Sequence, residues 1–268
     1  MSDDVLVKEF GQILEITINR PPANAINSAV SNAVYAALSD LQNNDNLQVA
    51  IITGAGDRIF SAGWDLKEIA SMESNEAAVA SALDCPGGFA GLTEFWGLKK
   101  PVITAINGMA VGGGFEIALA SDIIIAADHA EFFLPEMQRG FLPDVGAIQL
   151  LPRKVPYNVA MELLYTGRRM NAEEARQWGL VSKVCPLADL KQTAHDMAKI
   201  VASGAPLALQ ALKEVVPAIH ALPIQHAFAE TKPGNDKLPT YQKMLMSNDF
   251  MEGARAFAEK RAPVWKGE

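Results

Sequence analysis

Apolar and polar residues alternate from Val5 to Phe10 and again from Ile13 to Ile18, with Gly11 at the break. A period of two marks a strand with one face in the core, and Gly suits the reversal, so this stretch predicts a β-hairpin. The period then changes. Val30, Val34, Ala37, Leu38 and Leu41 fall on one face of a helix. Asn27 or Ser28, just ahead of them, can cap its first turn with a side-chain oxygen. Short apolar runs at 49–53, 101–106 and 122–126 predict buried strands, the first ending at Gly54-Ala55-Gly56. A helix is expected to start within 112–115. After Gly146 the strand signal nearly vanishes, except around 181–184, while 158–166, 187–203, 206–216 and 249–261 look helical.

Buried strands separated by helical stretches predict an α/β fold. The expected organisation is one α/β core over residues 1–200 and a helical C-terminal region over 201–268. No internal repeat or low-complexity segment stands out. Gly234-Asn235-Asp236, after Pro233, is the best candidate for a hinge.

Composition narrows the function. The 268 residues are 49% apolar and 20% charged, as in globular proteins. The net charge of −8 argues against sequence-independent nucleic-acid binding and against docking on anionic membranes. The longest uncharged run, 21–39, holds two prolines and six Asn or Ser residues, which excludes a membrane span there. The opening Met-Ser-Asp-Asp-Val has no basic stretch followed by an apolar one, so no signal peptide is expected. Cys85 and Cys185 belong to no CxxC or metal-ligand spacing. They predict buried thiols, no metal site and a reducing, cytoplasmic setting.

The usual phosphate-loop, dinucleotide and serine-nucleophile motifs are absent, and His129, His195, His220 and His226 are scattered as surface or satisfied core residues would be. Two glycine-containing segments remain: Phe60-Ser61-Ala62-Gly63-Trp64-Asp65-Leu66, and Asn107 to Glu116 with Gly112-Gly113-Gly114 inside it. Each follows a strand and leads toward a helix. Backbone N–H groups at such turns have no intrahelical partner and sit at the positive end of the helix dipole. Two of them converging on one point would form an oxyanion hole. Tight strand-to-helix packing explains the same glycines equally well. Glu116 either complements the dipole or does chemistry, and Glu136, beside the apolar run 132–135, is either a loop charge or a tuned acid.

Taken together, these residues resemble the crotonase (enoyl-CoA hydratase/isomerase) superfamily over nearly the whole chain. The resemblance rests on 60–67, on 107–116, on Leu134-Pro135-Glu136, on Leu151-Pro152-Arg153, on Thr166-Gly167-Arg168, on Ala172 to Ala175 and on the tail 256–261. It implies a twisted ββα spiral, a helical C-terminal trimerisation region and a homotrimer or dimer of trimers. It implies an acyl-CoA substrate, with coenzyme A as part of that substrate, no tightly bound cofactor and no metal.

By the same resemblance the N–H groups of Trp64 and Gly113 would hold the thioester oxygen. Glu116 would handle water and Glu136 the α-proton. Asn24, Ala25 and Ile26, with Ser61, Ala62, Gly63, Asp65 and Leu66, would cradle the adenine end of CoA. The resemblance also places Lys260 and Phe257 at the CoA site of a neighbouring subunit. Because CoA is polyanionic and the chain acidic, Arg20, Lys67 and Lys260 are the cations expected at its phosphates. Both glutamates together favour hydration over double-bond shifting.

Trp64, the stretch 86–94, Pro143-Asp144, 167–170 and 263–267 are closer to a branch whose acyl group carries a trimethylammonium. Trp64, Phe89, Phe95, Trp96 and Phe141 are the candidate aromatic faces for it, with Glu94 or Asp144 for charge. Trp96, Gly97 and Ala147 depart from that pattern. The Ala/Ser/Glu-rich segment 71–86 is expected to be mobile.

Overall fold

The computed structural model describes residues 3–74, 76 and 84–268. Half of the segment 71–86, the one expected to be mobile, falls outside the described residues.

The hairpin forms as the alternation predicts. β1 (Val5–Phe10) and β2 (Ile13–Ile18) pair antiparallel, with Phe10 opposite Ile13 across Gly11 at φ 61°. Helix α1 (Ser28–Asn43) buries Val30, Val34, Ala37, Leu38 and Leu41, and Asn27 caps it by accepting from Val30 N–H at 2.9 Å. At its other end Lys100, 1% exposed, donates to the carbonyls of Leu41 and Asn44 at 2.9 and 2.8 Å, satisfying acceptors that a helix terminus leaves open.

From here the chain alternates between two sheets. β3 (Val49–Gly54), β5 (Val102–Ile106) and β7 (Ile123–Ala127) enter the first sheet. β4 (Ile59–Ser61), β6 (Met109–Val111) and β8 (Glu131–Phe133) enter the second. With β9 (Met170–Asn171) and β10 (Lys183–Cys185), the sheet orders are β1-β2-β3-β5-β7-β10 and β4-β6-β8-β9. Outside the hairpin and the β8–β9 pair all strands run parallel. The first sheet is buried on both faces, so its central strands are continuous apolar runs.

One face packs on the main core with α1. The other is covered by α7 (Leu187–Ala202), through Leu190, Ala194, Ala198 and Ala202 against Ile51, Ile103 and Ile125. Helices α2 (Leu66–Ala70) and α3 (Gly113–Ala120) follow β4 and β6. Then come α4 (Ala147–Lys154), α5 (Tyr157–Thr166) and α6 (Ala172–Gln177).

The C-terminal helices are α8 (Pro206–Ile219), α9 (Ile224–Glu230), α10 (Pro239–Leu245) and α11 (Asn248–Ala258). Lys213 to Asp122 at 2.7 Å and Lys99 to Glu214 at 2.8 Å tie α8 to the core. The expected hinge at 234–236 is a turn with local hydrogen bonds. Asn235 Nδ2 donates to the carbonyl and carboxylate of Glu230, and Gly234 N–H to Gln242, so local side chains satisfy the turn. His195 is a satisfied core residue, with Nε2 2.7 Å from Glu15. Among the described residues no helix is long and apolar enough to cross a membrane.

Candidate active site

β4 and β6 are parallel neighbours, Ser61 opposite Ala110, so the turns that follow them lie side by side. Their backbones touch. A Cβ on Gly63, whose φ is 78°, would lie 2.6 Å from Gly113 N and 2.7 Å from Val111 O, and one on Gly114 would strike Ser61 O. Only glycine permits this approach. Ile26 N–H donates to Gly63 O, and Asp65 N–H to Ile26 O, which leaves Trp64 N–H on the unbonded side of that bridge. Gly113 opens α3 after Gly112, which offers no side-chain cap. Neither Trp64 N–H nor Gly113 N–H has an acceptor among the described residues. Two free donors on adjacent turns, one at a helix N-terminus, can hold an oxyanion.

Both N–H groups border a cavity of about 380 Å³. Its lining includes Trp64, Phe89, Gly113, Glu116, Glu136 and Asp144. Phe89 packs over Gly113, where an added Cβ would come within 2.5 Å of its ring, and meets Trp64 edge-on at 6.4 Å. The two glutamates enter from different elements, α3 and the short 3-10 turn Glu136–Arg139.

Glu116 is 2% exposed, and its Oε1 accepts from Ala147 N–H at 2.9 Å. Burial pushes its pKa up to about 8. The N–H groups of Ala147 and Val145 work against that rise, while the charges of Glu136 and Asp144 add to it. Burial also raises Glu136, opposed first by its own backbone N–H and then by the charge of Arg139, with Asp144 reinforcing the rise. Glu136 Oε1 sits over Gly112 so closely that a Cβ there would collide with it, and its Oε2 is buried with no partner. Two raised carboxyls beside two free N–H donors can exchange protons at a carbon next to a carbonyl.

A profile of the family described as enoyl-CoA hydratase/isomerase matches residues 8–268. The chain belongs to this family. Carnitinyl-CoA dehydratase of Salmonella typhi is 46% identical over 267 residues, which cover 100% of both chains. The structure of an enoyl-CoA hydratase from Mycobacterium tuberculosis H37Rv superposes with a TM-score of 0.88 at 38% identity over 100% of both chains. An enoyl-CoA hydratase from Bacillus anthracis superposes with a TM-score of 0.89 at 34% identity, over 99% of this chain and 100% of that one. The strand-by-strand alternation between two sheets is thus the ββα spiral that the sequence resemblance implied.

Within this enoyl-CoA hydratase/isomerase chain the structure brings Ala62, Trp64, Leu66, Gly113, Glu116 and Glu136 to one cavity. Other expected site residues hold the loops that build it. Asn24, buried at φ 48°, donates to the carbonyls of Ala55 and Ile59 and accepts from Arg20 N–H. Ser61 Oγ donates to Asn24 O and accepts from Gly63 N–H. Ile26 is buried against the Trp64 bridge, and Ala25 O accepts from Arg20.

Arg20 was expected at a phosphate but is committed to Asp65 at 2.6 Å, and Asp65 in turn caps α2 through Lys67 N–H. Lys67 is exposed. Phe257 and Lys260 are exposed and do not line the cavity of their own chain. Of the candidate acyl contacts, Phe89, Phe141 and Asp144 line the cavity, whereas Glu94, Phe95 and Trp96 do not. Phe95 packs at a tilt against Tyr35 on the core, and Trp96 is 84% exposed.

The sequence reading missed Gly112 as the seat of Glu136 and Ala147 as the donor to Glu116. It also missed Arg139, although the Glu-x-x-Arg spacing placed that residue one turn on.

Proposed function

We propose that the protein is a hydro-lyase that adds water to, and removes it from, the double bond of a short 2-enoyl-CoA thioester. The observation that carries this reading is the meeting of Glu116 and Glu136 in one cavity with two free backbone N–H donors. The N–H groups of Trp64 and Gly113 would polarise the thioester carbonyl and hold the enolate oxygen, a contribution of about 3–4 kcal/mol per donor.

In the dehydration direction Glu136 takes the α-proton and the electron pair moves onto the thioester oxygen. It then returns to form the double bond as the β-hydroxyl leaves, protonated by Glu116. Hydration is the reverse. Both directions use the glutamate pair carrying one proton.

For the acyl group we propose the crotonobetainyl-CoA/carnitinyl-CoA pair. The Salmonella relatives named carnitinyl-CoA dehydratase support it, as do Trp64, Phe89 and Phe141 as faces for a trimethylammonium and Asp144 as counter-charge. A second reading, a general short-chain enoyl-CoA hydratase, is favoured by the cation Arg139 in the same cavity.

In this proposal residues 1–200 carry the site and 201–268 serve assembly as a homotrimer or dimer of trimers. Exposed apolar side chains on α9 and α11, Ile224, Phe228, Phe250 and Phe257, support that role. A neighbour's Phe257 and Lys260 would then complete the CoA site. No tightly bound cofactor or metal is invoked, and the buried free thiols Cys85 and Cys185 support a reducing, cytoplasmic setting.

Steady-state rates on crotonyl-CoA and crotonobetainyl-CoA, followed by the absorbance of the conjugated thioester, test the reading. Turnover of neither by the purified protein overturns it. A clear preference for crotonyl-CoA overturns the carnitinyl assignment alone. Glu136→Gln should abolish turnover, whereas a scaffold that only binds acyl-CoA would be indifferent.

A further inference from the structure

Glu136 and Arg139 stand at the two ends of one 3-10 turn, entered through Pro135 and closed by Gly140 at φ 79°. A helix of three residues per turn puts such positions on the same edge, and both residues line the cavity. Arg139 forms no ion pair or hydrogen bond with any described residue. It is a solvent-exposed cation on the wall of the cavity that holds both carboxyls, in direct contact with neither. Glu136 is its complement: half-buried, with Oε2 enclosed and without a donor. A carboxylate in that position needs an opposite charge to stay ionised.

The other charged groups facing Glu136 do not supply one. Asp144, on the loop past Gly140, and Glu116, on α3, are both acidic. Helix α5, packed against the turn, contributes Tyr157 and Tyr165, both exposed, and Glu162, which is paired to Arg168 at 2.9 Å.

We propose that Arg139 is a positioning residue whose charge, acting along the shared edge of the turn without direct contact, favours Glu136 as the ionised member of the glutamate pair and leaves the shared proton to Glu116. This rests on the reading that the pair acts on one thioester. With two protons the pair has no base, and with none it has no acid, so activity is confined between its two ionisations. Burial of Glu116 sets the upper bound. Arg139 lowers the bottom one and widens the working range toward acid. A neutral residue at 139 leaves only the backbone N–H of Glu136 itself to oppose burial and Asp144, so the acid limb moves upward. A lysine keeps the charge and so keeps the limb.

The test is the pH profile of kcat/KM for wild type, Arg139→Gln and Arg139→Lys. Arg139→Gln should move the acid limb up by about half to one pH unit, a roughly three- to tenfold loss of rate at the foot of the limb, with the alkaline limb nearly still. Arg139→Lys should restore the wild-type limb. Limbs that stay fixed in Arg139→Gln while KM rises would assign Arg139 to substrate binding and overturn the proposal.

Carbon-13 NMR titration of glutamate-labelled protein, with the Glu136 resonance assigned through Glu136→Gln, reads the same coupling without turnover. An unmoved Glu136 resonance in Arg139→Gln overturns the role of Arg139. A wild type that turns over neither thioester yet shows the moved resonance overturns only the hydro-lyase reading.

Discussion

Glu116→Gln separates what this carboxyl costs the fold from what it gives the chemistry. Glu116 is 2% exposed and its pKa is pushed up to about 8 from 4.5, first by burial. The folded chain therefore keeps a proton that the unfolded chain has released, across the window from pH 4.5 to about 8. Folding stability falls as pH rises through that window, by ~1.36 kcal/mol for each pH unit, or of order 5 kcal/mol across it.

Glutamine is neutral throughout and escapes this penalty. Its Oε1 can still accept from Ala147 N–H, while its new NH₂ group, if unpaired, costs about 1–2 kcal/mol. Glu116→Gln should thus match wild type or fall slightly below it near pH 5, and exceed it by about 2–4 kcal/mol near pH 8. Its hydratase rate should fall roughly 10²- to 10⁴-fold at every pH, as expected for loss of an acid–base group. Urea unfolding at a fixed protomer concentration, followed by tryptophan fluorescence at both pH values, gives the comparison. Parallel stability-against-pH curves for the two proteins, or a wild type still the more stable near pH 8, would refute the reasoning.

Gly112→Ala places a Cβ against Glu136 Oε1 on backbone at φ 54°. It should lower kcat/KM by about 10²-fold through displacement of that carboxyl and lower stability by roughly 1–2 kcal/mol, measured by kinetics and urea unfolding. Glu15→Gln breaks a buried carboxylate held at 2.8 Å by Lys191 and 2.7 Å by His195. Burial pushes Glu15 up, but these two donors together outweigh it and hold the carboxyl below its ordinary value. Its contribution is therefore present above the unfolded pKa and lost in acid. The variant should be about 2–4 kcal/mol less stable at neutral pH, with the gap closing as pH falls below the ordinary carboxylate range, read by unfolding across pH. Lys100→Met leaves the carbonyls of Leu41 and Asn44 without their buried donor. It should destabilise by about 1–3 kcal/mol and speed amide exchange in the last turn of α1.

The sequence by itself determined the elements whose signal is local. The hairpin, the buried face of α1, the apolar strands and the C-terminal helices follow from periodicity and capping, which depend on a few neighbouring residues. The two glycine turns and both glutamates were also legible, as residue types in pattern and through the family resemblance. Their meaning was not, because strand-to-helix packing explains the same glycines.

Only the tertiary structure chose. Positions 63 and 113 lie far apart in sequence and become neighbours because β4 and β6 pair in parallel, which frees Trp64 N–H and Gly113 N–H beside each other. Burial of Glu116, the seat of Glu136 on Gly112 and the uncommitted charge of Arg139 are likewise products of what packs around them. The same holds for residues that the fold commits or turns elsewhere. Arg20 has the charge to meet a phosphate, but the fold sets it 2.6 Å from Asp65. Trp96 has the ring to hold a cation, but its loop turns it to solvent. A residue's chemistry is written in the chain, whereas its pKa, its partner and its access to a ligand depend on groups distant in sequence that only folding brings near.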